Sequence, residues 1–282
     1  AELNAAVSLS QLGRDVSWIS AVGNDAAGLK ILYQSKRIGV DTSSVIIMDE
    51  YQTGEYTVDF DTFAIEYRRS ESAFANLSHT MLDLSLREYM QNARWLHISG
   101  ITPLLGELPR GVWSTSMALA ELDGVKISLD FNHRPALSNW NELWGIVEPH
   151  LRRINLLTLS ETDSRKINQM YQLTGENATL EDILVAIQKN WLVTWIACTV
   201  KQSEADGSQK RWSIIAGPQE VVSSRGNPTV HSPVEPLGGG DAWIGAILDG
   251  MLSNMPLNNN LHRADKYAAL VQSSPGDLST IT

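Results

Sequence analysis

The sequence predicts an α/β fold: a central, mostly parallel β-sheet with helices on both faces and a small β-lid. Apolar segments of strand length alternate with amphipathic segments of helical period along most of the 282 residues. Between residues 51 and 70 this alternation stops, and two strand-like segments follow each other with no helix between them. The sequence shows no internal repeat and no long linker, so we expect one domain over residues 1–282.

The first elements are short. Residues 1–13 carry apolar side chains at helical spacing, and Gly13 supplies a stop. Residues 16–22 alternate and predict one strand. Asp25 then caps a helix that runs to Gly39.

The β-lid is expected mainly within residues 14–22 and 45–70. It contains an apolar strand at residues 45–48 and two consecutive strands at residues 53–59 and 62–69. Consecutive strands inside an α/β chain are typical of a flap over a site.

From residue 81 onward, strands and helices alternate regularly. The expected strands lie at residues 95–99, 125–130, 155–159 and 193–200, with a hairpin at 211–215 and 220–223. The expected helices lie at residues 112–122, 143–153, 180–189, 242–251 and 263–272, and Pro149 predicts a break in the second of them. Ligands in such folds bind beyond the carboxyl ends of the strands, so functional residues are expected just after strands.

The composition excludes some partners. A formal net charge of −10 argues against a nucleic acid or an anionic membrane surface as partner, but not against an anionic small molecule. The single cysteine, Cys198, lies in an apolar run and is expected to be buried and inert, which fits a cytoplasmic protein. No stretch reaches the roughly 18 apolar residues of a membrane span, and no signal peptide is visible.

The strongest local signal is a run of three glycines and an acid ahead of a helical pattern: Gly238, Gly239, Gly240 and Asp241. A glycine-rich turn at a helix N-terminus presents backbone N–H groups and the positive end of the helix dipole, which suits a phosphate. Asp241 would repel that anion, but it can take the proton from a hydroxyl that attacks a phosphoryl group. An ordinary glycine turn with an aspartate cap explains the same residues. The sequence has neither a Walker A loop nor a dinucleotide fingerprint, so hydride transfer lacks support.

This run resembles the second signature of the ribokinase-like, or PfkB, carbohydrate kinases, usually Asp-Thr-x-Gly-Ala-Gly-Asp. Residues 235–237 depart from it, and Gly239 replaces Ala. Residues 1–6 resemble the second half of the N-terminal signature, and residues 23–28 its Gly-x-Asp-x-x-Gly element. The resemblance spans nearly the whole chain. It implies a ribokinase-like fold, a catalytic Asp241, an anion hole at the three glycines, ATP with Mg²⁺, and a first strand missing ahead of Ala1.

Within that family, four stretches are similar to 2-keto-3-deoxygluconate kinases: residues 67–73, 97–103, 130–135 and 275–277. A sugar acid needs a cation for its carboxylate, and arginine suits a bidentate grip. Solvated surface charge or hairpin packing would explain the same arginine and tyrosine residues outside these motifs. The resemblance implies substrate contacts at Asn4, Tyr56, Tyr67, Arg69, Ile101, Arg134 and Asp277.

The resemblance also implies nucleotide contacts, at Asn132, Arg134, Ser160 and Thr199. Ser160 and Asp163 stand where the family has the Asn and Glu of an element that organises Mg²⁺, with Asp163 acting through water. A helix that starts at a serine with acids in its first turn explains these two residues equally well. The family's Gly-x-x-Gly after Thr199 is absent, and residues 201–207 replace it.

Two rivals stay open. A family kinase for a neutral sugar such as fructose or ribose, or for a nucleoside, would not need Arg69. A catalytically silent sugar- or nucleotide-binding regulator would explain the altered residues 235–237, but it has no need of Asp241 beside a phosphate site. The family further implies a homodimer that pairs through the lid.

Overall fold

The computed structural model describes residues 1–58, 65–81, 84–234 and 237–274. The strands are β1 Val16–Ser17, β2 Ser20–Gly23, β3 Val40–Asp41, β4 Val45–Met48, β5 Glu55–Val58, β6 Ile65–Arg68, β7 Trp95–Ser99, β8 Lys126–Asp130, β9 Leu156–Ser160, β10 Trp195–Ser203, β11 Gln209–Ala216, β12 Val221–Ser223 and β13 Thr229–His231. The α-helices are α1 Glu2–Gln11, α2 Ala26–Ile38, α3 Leu84–Asn92, α4 Glu107–Leu122, α5 Trp140–Val147, α6 Glu161–Tyr171, α7 Leu180–Trp191, α8 Gly239–Leu252 and α9 Leu257–Gln272.

The central sheet has seven strands in the order β12-β11-β10-β9-β8-β7, with β13 also pairing with β11. Strands β7 to β10 are parallel. Strand β11 runs antiparallel to β10, and β12 and β13 run antiparallel to β11. The predicted α/β fold is confirmed; the sheet is parallel in its β7–β10 part and mixed as a whole.

Helices cover both faces of this sheet because successive strand residues point to opposite sides. Leu156, Ala197 and Ile215 pack with apolar residues of α1, α8 and α9. Their chain neighbours Leu157 and Ile196 pack on the other face, against α4, α5, α6 and α7. Helix α8 therefore lies directly on the sheet, and its first turn is held at the carboxyl edge of the parallel strands.

Among the described residues, the lid region contains three two-stranded pairs: β1 with β3, β2 with β4, and β5 with β6. The single strand predicted over residues 16–22 is wrong, because β1 and β2 pair separately. Val16 pairs with Val40, but Ser20 pairs with Val45. The stretch from residue 40 to residue 45 is therefore one residue longer than the stretch from residue 16 to residue 20. Such an extra residue interrupts a ladder. The predicted lid strands at residues 53–59 and 62–69 correspond to β5 and β6, and residues 59–64 lie outside the described part.

Other boundaries can be compared with expectation, and the starts of α4 at Glu107 and of α8 at Gly239 are earlier than the expected residues 112 and 242. The predicted break at Pro149 is confirmed, since α5 ends at Val147 and a 3₁₀ segment, Glu148–Arg153, follows. Strand β10 continues to Ser203 because β11 pairs with it along that length. Helix α9 starts at Leu257, directly after Pro256, six residues earlier than its apolar pattern indicated. None of the described helices has the length and apolar character needed to cross a bilayer.

Candidate active site

The glycine-rich turn is built for close approach at one of its residues. Gly238 caps α8 with φ 71°, in the left-handed region that favours glycine, and within the described chain no side chain caps the helix. A Cβ on Gly239 would lie 2.5 Å from the side chain of Gln272, so packing requires glycine there. A Cβ on Gly240 would meet no described atom within 4 Å. Within the described residues, the first turn of α8 thus leaves space over Gly240 through which an anion can reach the helix N-terminus.

Asp241 follows in the same turn and is oriented by Asn4, whose side-chain amide donates to Asp241 Oδ2 over 2.9 Å. The contact exists because α1 packs closely on α8: a Cβ on Gly245 would lie only 2.7 Å from Cβ of Ser8. Burial raises the pKa of Asp241 above its ordinary value. A carboxylate with a raised pKa is a stronger base than one in water, which suits proton abstraction from a hydroxyl.

Asp130 is a second acid of the site, and sequence reasoning did not assign it a role. It is the last residue of β8, and its neighbour across β7 is Ser99. Burial, and then the negative charge of Asp241, raises the pKa of Asp130 to about 7, while the positive charge of Arg134 opposes the shift. The sequence offered two signals for it: its position at the carboxyl end of a central strand, and its place as the first residue of the matched stretch 130–135.

Arg69 directly follows β6 and carries an unusual guanidinium. It stacks over the ring of Tyr67, 3.9 Å from the centroid. Its Nε and Nη2 atoms are buried without an acceptor among the described residues. Burial lowers the pKa of Arg69, and the nearby charge of Arg134 lowers it further. Two adjacent N–H donors shielded from water are what a carboxylate accepts in a bidentate contact.

Three other predicted substrate residues, Tyr56, Tyr67 and Ile101, lie near Arg69. Tyr56 and Tyr67 face each other across the β5–β6 pair, with ring centroids 6.1 Å apart. Ile101 follows β7 and donates its N–H to Ser99 Oγ over 3.0 Å. Ile101 and Arg69 line the same cavity of about 930 Å³, between α1, β7 and the lid region. Asp277 lies outside the described residues.

The predicted nucleotide residues line up along the carboxyl edge of the sheet. Asn132 follows β8 with φ 44°. Thr199 on β10 pairs with Ser160 on β9. The sequence predicted a strand that ends at residue 200, just after Thr199, but β10 continues to Ser203, so Thr199 lies within the strand. The loss of hydration beside the protein surface, with the positive charges of Arg211 and Arg134, lowers the pKa of Lys201 to about 8, although part of its side chain stays exposed. Lys201 is thus close to the same group of charges.

The carboxylate of Asp163 already accepts hydrogen bonds from other side chains of the protein. It accepts from Ser160 Oγ at 2.5 Å and from Trp140 Nε1 at 2.7 Å, in a capping box that starts α6. This geometry favours the helix-start interpretation of Ser160 and Asp163. Among the described residues no group of three or more His, Cys, Asp or Glu side chains could hold a metal ion.

Comparisons with known proteins agree with this arrangement. The family described as pfkB family carbohydrate kinase matches residues 1–282. The chain is 29% identical to a 2-dehydro-3-deoxygluconokinase of Bacillus subtilis, over 99% of this chain and 81% of the relative. It is 24% identical to a 2-dehydro-3-deoxygalactonokinase of Haloferax volcanii, over 100% of this chain and 84% of the relative. It is also 24% identical to a fructokinase of Salmonella typhimurium, over 100% and 87%.

Solved structures show the same fold. A 2-dehydro-3-deoxygluconokinase of Thermotoga maritima superimposes with a TM-score of 0.89 at 22% identity, over 99% of this chain and 85% of that one. A fructokinase of Vibrio cholerae with bound fructose, ADP and calcium gives a TM-score of 0.73 at 18% identity, over 98% and 85%. A candidate ribokinase II of E. coli, solved with ATP and Mg²⁺, gives 0.78 at 18%, over 98% and 82%.

Proposed function

Since the chain belongs to the PfkB family of carbohydrate kinases, as its glycine-rich run predicted, we propose that this sugar kinase phosphorylates a sugar acid, 2-keto-3-deoxygluconate, on its terminal hydroxyl. Kinases of this family use ATP, which supplies the phosphoryl group. Relatives named for 2-dehydro-3-deoxy sugar acids, at 29% and 24% identity, support this substrate class.

The observation that carries the sugar-acid assignment is the guanidinium of Arg69. Its Nε and Nη2 atoms are buried and lack an acceptor among the described residues. A buried charged donor without a partner is costly, and a substrate carboxylate removes that cost by accepting both N–H groups. A neutral sugar would offer only hydroxyls. The stacked ring of Tyr67 fixes the plane of the guanidinium and hence the direction in which the carboxylate binds.

The residues around the start of α8 fit phosphoryl transfer. Asp241, oriented by Asn4, accepts the proton of the attacking hydroxyl. The N–H groups of the first turn, reached over Gly240, stabilise the charge that develops on the transferring phosphoryl group. Arg134 and Lys201 neutralise the phosphates of ATP. The charge of Arg134 acts on Asp130 and on Lys201, and Lys201 is also close enough to Asp241 for their charges to interact.

The acids of the site also fit a Mg²⁺ ion held mainly by ATP. Asp130 has a raised pKa partly because of negative charge around it, and a cation would relieve that repulsion. When bound, Mg²⁺ neutralises charge on the phosphates, and it commonly keeps several waters and only one or two carboxylates. We assign the contact to Asp130, since the oxygens of Asp163 accept hydrogen bonds from Ser160 and Trp140.

The test is ATP consumption over a panel containing 2-keto-3-deoxygluconate, 2-keto-3-deoxygalactonate, fructose, ribose and a nucleoside, with native protein and Asp241→Asn. We expect the highest kcat/KM for a 2-keto-3-deoxy sugar acid, no turnover in the variant, and unchanged ATP binding by calorimetry. A higher kcat/KM for fructose would favour the neutral-sugar rival, with which a fructokinase relative agrees. Near-normal turnover by Asp241→Asn would contradict the catalytic assignment, and no turnover of any substrate by the native protein would favour the silent regulator.

Two further proposals concern the whole protein. Exposed apolar side chains on the lid side, Ile47, Tyr51 and Tyr56, support a homodimer that pairs through this surface. Light scattering coupled to size-exclusion chromatography, with Ile47→Glu as the disrupting variant, tests it: a native monomer would contradict the proposal. We also propose a cytoplasmic location, where ATP is available; fractionation of cells that produce the protein would check it.

A further inference from the structure

Beneath the glycine-rich turn lies a buried polar network that the proposed reaction does not use directly. Arg211, on β11, is 0% exposed. Its Nη2 donates to the carbonyl oxygen of Gly239 over 3.1 Å, and its Nη1 donates to Gln272 Oε1 over 3.1 Å. Gly239 is the first residue of α8, two positions before Asp241.

The network also secures the chain on both sides of the turn. The main-chain oxygen of Gln272 accepts from the N–H of Val234, which precedes the turn. The side chain of Gln272 lies against Gly239, where a Cβ would come within 2.5 Å of it. One side of the first turn is thus packed against α9 and bonded to β11, while no described atom lies within 4 Å of the place where a Cβ on Gly240 would be.

Asp265, on α9, balances the charge of Arg211. Its carboxylate lies 4.0 Å from Arg211 Nε, an ion pair without a hydrogen bond. It also accepts hydrogen bonds from Ser213, Ser224 and Trp243, at 2.9, 2.5 and 3.0 Å. Trp243 is itself on α8, so both charged residues of the network bond to the start of this helix.

Stability alone is a weak explanation for this arrangement. A fully buried guanidinium loses its hydration, and buried ion pairs often contribute no more to stability than apolar residues of similar size. Lys201 lies directly opposite Arg211 on the neighbouring strand, which adds like-charge repulsion. What the guanidinium does provide is a fixed donor for a turn of three consecutive glycines, the residue type with the greatest backbone freedom.

We propose that Arg211 is a positioning residue: through the carbonyl oxygen of Gly239 it fixes the first turn of α8, and with it the place of Asp241 and of the anion-binding N–H groups. The proposal rests on the function proposed above for Asp241. Groups that stabilise a transition state act only when they are held in place beforehand, and small displacements of them lower kcat strongly.

The chain offers a matched control on the same helix. Arg263, on α9, pairs with Asp249 of α8 and donates to the carbonyl oxygen of Ala246 over 2.7 Å. Arg211 and Arg263 therefore each combine one ion pair with one hydrogen bond to a carbonyl oxygen of α8, although the ion-pair partner is Asp265 of α9 for Arg211 and Asp249 of α8 for Arg263. Only the carbonyl bonded by Arg211 belongs to the first turn.

The experiment compares Arg211→Met with Arg263→Met, both confirmed as folded by circular dichroism. For Arg211→Met we expect kcat with the best substrate to fall by about 10- to 100-fold, with both KM values within about threefold. We also expect faster amide hydrogen exchange in a peptide that covers residues 238–244. For Arg263→Met, kcat stays within about twofold and exchange in that peptide is unchanged, even where the unfolding temperature drops equally. Equal kcat in the two variants, or unchanged exchange in Arg211→Met, would overturn the proposal.

Two additions keep the result decisive. If Arg211→Met does not fold, the pair Arg211→Lys and Arg263→Lys replaces it, since lysine keeps the charge but cannot make both Nη contacts. A lower kcat in Arg211→Lys alone supports the proposal, and equal kcat overturns it. Asp241→Asn is measured in parallel: if it stays active, the proposed function fails, whereas an inactive Asp241→Asn beside a fully active Arg211→Met refutes only the positioning role.

Discussion

Replacing Arg69 with alanine should remove most of the preference for a sugar acid and leave turnover of a neutral sugar nearly unchanged. The side chain offers two buried donors, Nε and Nη2, that lack an acceptor among the described residues. The substitution removes both donors together with the positive charge.

The size of the effect follows from the contacts. A hydrogen bond to a charged group contributes about 1.5–3 kcal/mol, so two of them give about 3–6 kcal/mol. The low end of this range is expected for two reasons. Arg69 is half-buried, so solvent screens part of its interaction with a carboxylate, and the nearby positive charge of Arg134 would compensate in part for its loss. A loss of about 3 kcal/mol corresponds to about a 100-fold lower kcat/KM for the sugar acid.

The assay measures kcat/KM for 2-keto-3-deoxygluconate and for fructose with the native protein, Arg69→Ala and Arg68→Ala. Arg68 is the adjacent residue, is exposed, and pairs with Glu55 in the β5–β6 ladder, so it matches the change in charge without touching the buried donors. We expect the ratio of the two kcat/KM values to fall by about 100-fold only in Arg69→Ala. Equal ratios in the two variants, or an equal loss for both substrates, would refute the role of Arg69 as the carboxylate contact.

Three other predictions follow from the site. The pKa of Asp130 in the folded protein is about 7, above the ordinary 3.8, so the folded state binds a proton that the unfolded state releases between these pH values, and stability falls as pH rises through them. Asp130→Asn should therefore raise the free energy of unfolding by about 1–2 kcal/mol at pH 8 and have little effect at pH 4. An equal change at both pH values would contradict the raised pKa. Gly239→Ala should lower the free energy of unfolding by about 1–3 kcal/mol, because the added Cβ clashes with Gln272 of α9. Gly240→Ala should leave stability unchanged or slightly higher but lower kcat at least about 10-fold. Thermal unfolding and steady-state kinetics test both expectations, and a normal kcat in Gly240→Ala would count against an anion site at that residue. Ser160→Ala and Thr179→Ala each remove one capping box and should lower the free energy of unfolding by about 1 kcal/mol. The nucleotide contact expected for Ser160 predicts that only Ser160→Ala raises the KM for ATP, whereas equal ATP KM values would support the helix-start interpretation that the geometry favours.

The sequence predicted best what local chemistry determines. A run of three glycines before an acid has few structural solutions, so it placed Asp241 at the N-terminal end of a helix, although α8 starts at Gly239, three residues before the expected residue 242. The helix break at Pro149 is equally local, because proline has no N–H to donate. The order of the central strands could be expected only in outline, since pairing depends on contacts between distant segments.

What could not be predicted depends on long-range neighbours. The raised pKa of Asp130 comes from burial and from Asp241, which is remote in sequence. Arg211 looks like an ordinary charged residue in an alternating strand, and only the fold shows that its side chain ends on Gly239 and faces Asp265. The interruption between β1 and β2 results from one additional residue in the partner segment, which the alternation of residues 16–22 does not reveal.

The residues of the candidate site lie on elements that differ in stability. Asp130 and Asp241 are anchored on a seven-stranded sheet and on a helix packed against it. Tyr56, Tyr67 and Arg69 belong to or follow a two-stranded pair, and such a pair alone is marginally stable in water. A substrate carboxylate bound at Arg69, as proposed above, would therefore also stabilise this pair, while Asp130 and Asp241 are held on the core. Because the residues proposed for sugar recognition and those proposed for phosphoryl transfer lie on separate elements, we expect changes in the β5–β6 pair to alter the preferred sugar without disturbing phosphoryl transfer. Relatives of this chain named for different sugars, at similar identity along its length, are consistent with that division.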